Sequence, residues 1–163
     1  LSGLAVIGTG DPALEKAFSK VSAARPDRFF FRPAFDENLA RLAYAGGDIF
    51  LMPSLFEPCG LSQMIAMRYG TVPVARKTGG LGDTISDVDE HPGGTGFLFG
   101  EYSAEALVGA VARSRARFSA PRQWSAMRKR CMERDFSWKN SARAYAVLYE
   151  SLINKLSVIK REG

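Results

Sequence analysis

A chain of 163 residues suffices for one domain with a core of its own. Its 46% hydrophobic and 24% charged residues are ordinary for a globular protein. No apolar run approaches the roughly 20 residues of a membrane span, which argues against a membrane partner. The net charge of +5 is uneven: residues 1–100 carry 9 basic and 11 acidic residues, residues 101–163 carry 13 and 6. No aromatics interleave with the basic positions as a base-stacking platform needs, so solvated helix faces are expected and nucleic acid is not. Cys59 and Cys131 imply no disulfide framework and suit a reducing compartment.

The chain begins Leu1-Ser2-Gly3, not Met, close to an apolar strand, and reads as part of a longer protein. Leu4-Ala5-Val6-Ile7 reads as a buried strand that Gly8-Thr9-Gly10 ends. Asp11 and Pro12 suit the cap and first position of a helix through Leu14, Ala17, Phe18 and Val21, closed by Arg25-Pro26. This segment matches the dinucleotide fingerprint G-x-G-x-x-A. The next strand, Arg28–Arg32, lacks the acid at its end that would hold a ribose, which argues against a nicotinamide cofactor. Asp36 then caps a helix carrying Leu39, Leu42, Ala43 and Ala45, with Gly46-Gly47 as its stop. Phe35 sits in that strand-to-helix turn. Its ring could stack on a nucleotide base, or serve as a hydrophobic staple for the helix.

The rest of the chain is organised around Pro53-Ser54-Leu55-Phe56-Glu57-Pro58-Cys59-Gly60-Leu61-Ser62. The apolar run Ile49-Phe50-Leu51-Met52 leads in, and a helical pattern from Gln63 to Tyr69 leads out, ending at Gly70. Ligands of open α/β sheets sit beyond the carboxyl ends of strands. The first amides of a helix lack internal partners and can hold an anion such as phosphate. Glu57, an acceptor-only carboxylate, could then take two hydroxyls of an attached sugar. Alternatively, Glu57 and Ser62 only cap the helix.

A strand Val72–Ala75 opens into Arg76-Lys77-Thr78-Gly79-Gly80-Leu81-Gly82-Asp83-Thr84-Ile85. This is another glycine-rich turn at a strand end, where backbone can approach a ligand closely. Asp87-Val88-Asp89-Glu90-His91 contains Asp-x-Asp, but it runs into Pro92-Gly93-Gly94 and reads as a solvated loop, not a metal site. Gly96–Gly100 is a short last strand. Ser103 caps a helix through Leu107, Val108 and Val111, although no capping box is present. A second helix follows Pro121, Asp135–Trp138 interrupts, and a third runs through Ala142, Tyr145, Leu148, Tyr149 and Leu152. Strands alternating with helices predict an α/β fold, a doubly wound parallel sheet.

The segments Pro53–Leu61, Arg68-Tyr69-Gly70-Thr71-Val72-Pro73 and Arg76–Thr84 resemble bacterial glycogen synthases and plant starch synthases. Gly8–Pro12 and Asp135–Trp138 also resemble that family, so the likeness runs in order along nearly the whole chain. The family's amino-terminal lobe opens with a loop similar to Lys77–Asp83; its place after Phe-Glu-Pro-Cys-Gly marks the carboxyl-terminal lobe instead.

The resemblance implies a Rossmann-like lobe of a GT-B glycosyltransferase, with helices on both faces of the sheet. Residues 1–163 would be that single nucleotide-sugar-binding lobe, lacking its first strand and helix, and its partner would be the N-terminal lobe of the same protein, which these residues do not include. It implies retaining transfer of glucose from ADP-glucose or UDP-glucose to the 4-OH of an α-1,4-glucan. Glu57 would orient and stabilise the sugar, with Pro58, Cys59 and Gly60 beside it, and Leu61 and Ser62 would meet the diphosphate. Phe35 falls where the family places a Tyr against adenine, and Thr78, Gly79 and Gly80 complete the substrate-binding set.

Ser62 stands where the family usually has Thr, and Ile65 where related transferases have a second Glu. No metal or other cofactor is implied, since amides and cations can balance the phosphates. The family's diphosphate-neutralising Arg and Lys would precede Leu1, and its cleft His would lie in the other lobe, so the chain by itself is expected to be inactive. The expected location is the cytoplasm, or a plastid in a plant. A non-catalytic nucleotide-sugar or glucan-binding module is the alternative, and the residues before Leu1 discriminate the two.

Overall fold

The computed structural model describes residues 3–162, with side chains as far as 154. Its contacts divide the chain into two compact units, residues 1–132 and 133–163. The first holds β1 (Leu4–Ile7), α1 (Pro12–Ala24), β2 (Phe29–Arg32), α2 (Glu37–Gly46), β3 (Ile49–Met52), α3 (Ser62–Tyr69), β4 (Val72–Arg76), α4 (Gly79–Thr84), β5 (Phe97–Phe99) and α5 (Ala104–Phe118). It also holds nearly all of α6 (Pro121–Glu133). The second unit is built on α7 (Trp138–Glu162).

The boundary residues act as their chemistry predicts. Asp11 accepts from the amides of Ala13 and Leu14, and Pro12 opens α1 where a missing N–H costs nothing. Asp36 accepts from Leu39 N at the start of α2, and Ser103 from Ala106 N at the start of α5. Gly70 closes α3 in the left-handed region at φ 80°. The stretch Gly79–Thr84, expected as an open turn, winds into the short helix α4.

All strand pairs are parallel, as expected when helices intervene. They form two sheets: β1 with β2, and β3-β4-β5 in that order. In register, Leu4 lies opposite Phe29, Ile49 opposite Val72, and Val74 opposite Phe97. Among the described residues β1, β2, β3 and β5 therefore each keep one edge without a ladder, and only β4 is paired on both sides. The two sheets also differ in burial. No described residue before Met52 is buried, whereas Val72, Val74, Ala75 and Phe97 are fully so.

The core is completed by Ala66 and Met67 of α3, Leu81 of α4, Ala110 of α5, and Trp124, Met127 and Cys131 of α6. α6 is tied down through main-chain carbonyls. Arg128 Nε donates to Gly70 O at 2.9 Å, Arg130 Nε to Gly94 O at 3.0 Å, and Cys131 Sγ to Thr95 O at 3.0 Å. In the second unit, α7 leaves Trp138, Tyr145, Leu148 and Leu152 exposed. No helix among the described residues is long and apolar enough to cross a membrane.

One expectation fails in the loop before β5. Asp87 is not solvated but 3% exposed. Its carboxylate accepts from Leu98 N at 2.5 Å and from Asp89 N at 2.8 Å. Arg113 of α5 stands 3.4 Å from Asp87, reaches Asp89 at 2.5 Å, and donates to Leu98 O at 2.6 Å. A buried carboxylate needs such partners, and the cation arrives from a helix 26 residues away, beyond any local pattern.

The hydrogen bond from Arg113 holds the Asp89 carboxyl below its ordinary 3.8, against desolvation by burial and with help from the Arg113 charge and from Arg117. A carboxyl lowered in the folded state stabilises at pH above its unfolded value, and that stabilisation is lost as pH falls through the folded one. Acid titration followed by circular dichroism should show wild-type stability dropping below about pH 4. Asp89→Asn should be less stable at neutral pH and show a smaller drop over that window. Parallel acid curves would remove this ion pair from the account.

Candidate functional site

β3 ends at Met52, and the next ten residues run across the carboxyl end of the second sheet into α3. Leu55, Phe56 and Leu61 are 64%, 70% and 67% exposed, so the turn presents apolar side chains to the surface. Glu57 is half-buried, and its carboxylate makes no hydrogen bond or ion pair among the described residues. α3 begins at Ser62 after Leu61, with no side-chain cap. The capping alternative for Glu57 and Ser62 is therefore not what the chain does. Among the described residues nothing bonds to the amides of Ser62, Gln63 and Met64. Free N–H groups at the positive end of a helix and an unpaired carboxylate share one turn, a combination suited to a ligand that is anionic at one end and hydroxylated at the other.

The turn is held from beneath by Gln63, which is completely buried. Its Nε2 donates to Cys59 O at 3.1 Å, Gly60 O at 2.7 Å and Thr84 Oγ1 at 3.1 Å. Thr84 Oγ1 in turn donates to Gly80 O at 2.6 Å. One amide thus binds the 57–60 turn to α4, while its own Oε1 takes no donor among the described residues. Gly60 adopts φ 72°, a conformation other residues rarely take.

A second contact is made by backbone. Gly80 N donates to Glu57 O at 3.0 Å. A Cβ on Gly79 would lie 2.1 Å from Glu57 O, and one on Gly80 would lie 2.1 Å from Cys59 O. Gly79 also has φ 44°. The Thr-Gly-Gly turn therefore packs directly on the Glu-Pro-Cys turn, and no side chain fits between them.

The structure brings Glu57, Pro58, Cys59, Gly60, Thr78, Gly79 and Gly80 into this one arrangement, with Leu61 and Ser62 at the adjoining helix start. Cys59 is an exposed free thiol. Phe35 lies elsewhere, after β2 of the first sheet, and is 96% exposed. A ring so exposed is not a packing staple, which leaves it available to a ligand.

Two further residues of the site carry no motif-level signal. Gln63 could have been found from spacing: with Ala66, Met67 and Gly70 it lies on the buried stripe of α3, and a polar residue on such a stripe requires partners. Arg76 could not, because its partners belong to two separate loops, one after β3 and one after β5. Its Nη1 donates to Leu55 O at 2.5 Å and lies 3.5 Å from Ser54 O, its Nε donates to Gly100 O at 3.1 Å, and its guanidinium stands 5.6 Å from the Tyr102 ring centre.

The family profile described as "Glycosyl transferases group 1" matches residues 3–115. A glycogen synthase of Anaeromyxobacter sp. (strain Fw109-5) is 52% identical over 149 residues, covering 91% of this chain and 31% of that protein. A glycogen synthase of Geobacillus thermodenitrificans is 46% identical over 153 residues, covering 93% and 32%. The structure of the catalytic domain of starch synthase IV from Arabidopsis thaliana, bound to ADP and acarbose, superposes with a TM-score of 0.79. It is 35% identical, with 88% of this chain and 31% of that one covered. The chain thus spans about a third of the length of the curated relatives it matches.

Gly80→Ala should force the two turns apart, because the clash is with main chain that cannot rotate away. A loss of about 1–3 kcal/mol in urea unfolding is expected. Gln63→Leu leaves two carbonyls without their donor and should cost a similar ~1–3 kcal/mol. Wild-type unfolding midpoints in both variants would contradict this description of the turn.

Proposed function

The chain belongs to the group 1 glycosyl transferases, and from that premise we propose that it is the donor-nucleotide lobe of a glucan-forming enzyme. The reaction is transfer of glucose from ADP-glucose to the 4-OH of an α-1,4-glucan, with retention. The observation that carries the reading is the turn itself, where an unpaired Glu57 carboxylate sits beside the uncapped amides of α3. ADP is favoured over UDP because the neighbouring starch synthase structure holds ADP. The acceptor and much of the catalytic cleft belong to a second lobe, in the two thirds of the relatives' length that this chain does not span.

The diphosphate takes the free N–H groups of Ser62, Gln63 and Met64, where helix dipole and donors act together. The sugar hydroxyls take Glu57. As the bond to the diphosphate breaks, positive charge builds at the anomeric carbon and negative charge on the leaving group. A fixed carboxylate and fixed amides meet those charges without reorganising, which is where their stabilisation is largest. Glu57 orients and stabilises; it is not placed as one of a nucleophile–acid pair, for no second carboxylate lies in this turn. Phe35 stacks on the base.

Calorimetric titration of ADP into the chain tests the reading, and binding without glucan synthesis is the expected result. Radiolabelled glucose entering glycogen with this chain alone would overturn the need for a second lobe. In the complete protein, Glu57→Gln should lower kcat far more than donor affinity, because an amide still accepts a hydroxyl but cannot offset positive charge. An unchanged kcat would remove Glu57 from catalysis. Phe35→Ala should weaken ADP binding by roughly 5- to 150-fold, the equivalent of about 1–3 kcal/mol of base stacking. Unchanged affinity would take the ring out of the site.

A further inference from the structure

Arg76 is the last residue of β4, the central strand of the second sheet, and is half-buried. Its guanidinium spans the ends of both neighbouring strands. On one side it donates to Leu55 O, past β3; on the other it donates to Gly100 O, past β5. Its own carbonyl accepts from Thr78 N at 2.9 Å, so the same residue starts the turn into α4. Tyr102 places its ring against the guanidinium. Among the described residues the side chain forms no ion pair, so its charge is spent on carbonyl oxygens.

Leu55 is exposed, and water could hydrate its carbonyl if the arginine were absent. The bonds therefore add little to global stability. What they do is set the height and angle of the turn two residues before Glu57. A planar guanidinium with donors pointing two ways can join two loops at once; an ammonium on a flexible stem cannot hold both in one geometry.

We infer that Arg76 is the positioning residue of the donor site: it holds the 53–57 turn so that the Glu57 carboxylate meets the sugar while Gly80 N holds the Glu57 carbonyl. It touches neither substrate nor reacting atoms and acts through Leu55. The inference rests on the donor-site reading given above, and its test separates the two.

The Gly80 amide reports the turn, because it is bonded to Glu57 O. The Val72 amide, bonded to Asp48 O at 3.0 Å, reports the sheet. In Arg76→Met, hydrogen exchange followed by NMR should be about tenfold faster at Gly80 and unchanged at Val72, and in the complete protein kcat should fall about tenfold while ADP affinity, which the Glu57 carboxylate does not set, stays at the wild-type value. Arg76→Lys should lie between, recovering the Leu55 bond but not the Gly100 bond; it carries the test if the Met variant does not fold. Wild-type exchange at Gly80 in Arg76→Met overturns the inference. Faster exchange with an unchanged kcat in the complete protein overturns it too, leaving Arg76 as a structural tie. If the wild-type chain binds no ADP, the donor reading falls, and the Gly80 rate still decides whether Arg76 holds the turn.

Discussion

The second sheet is organised by a contact that has no side chain in it. The main chain of Gly79 and Gly80 lies against the main chain of Glu57 and Cys59, closer than a Cβ would allow. Two consecutive strand-to-helix turns are thereby fused at the carboxyl end of one sheet. Everything at the site depends on that fusion. It sets where α4 begins, where the Glu57 carbonyl is held, and why the supporting donor must be an amide from below, Gln63, rather than a group from between the turns. Backbone packed this closely has few alternative arrangements, so the groups above it stay preorganised without strong bonds of their own.

Most of the fold was legible in the sequence because its signals are local. Apolar runs of four, Asp and Ser caps, and Gly70 after α3 act within a few residues of themselves. The turn at Glu57 was legible for the same reason. What escaped is long-range. Asp87 looked solvated in a run of acids, glycine and proline, but Arg113 and Leu98 N, far along the chain, make it a buried anchor. Arg76 looked like one of two basic residues opening a glycine-rich loop, and its role lies with carbonyls 21 and 24 residues away. The parallel sheet was expected as one piece; it forms as two sheets, and strand composition cannot report a missing pair.

The excess positive charge of the last third has an internal use. Arg113, Arg117, Arg128 and Arg130 each bind a carbonyl, a side-chain oxygen or a carboxylate of the same unit. Helices α5 and α6 are fastened to loop ends that the strands leave with unpaired acceptors. Such bonds reach across the surface where apolar contacts are few, and a guanidinium serves them better than an ammonium because it can take two acceptors in one plane.

Burial is confined to the middle of the chain: among the described residues every buried one lies from Met52 to Cys131. Local opening costs least where few apolar contacts must be broken. The molecule therefore has a gradient of rigidity along its length, with Glu57 on the stiff part and Phe35 on the soft part. A molecule gripped by both would be read by two scaffolds of unequal stiffness. Its sugar end would meet a surface already in place, whereas its base end would have to quiet the segment that recognises it. Occupancy would then show itself less as a change of shape than as a redistribution of mobility, with the leading βαβ unit slowing while the core stays as it was.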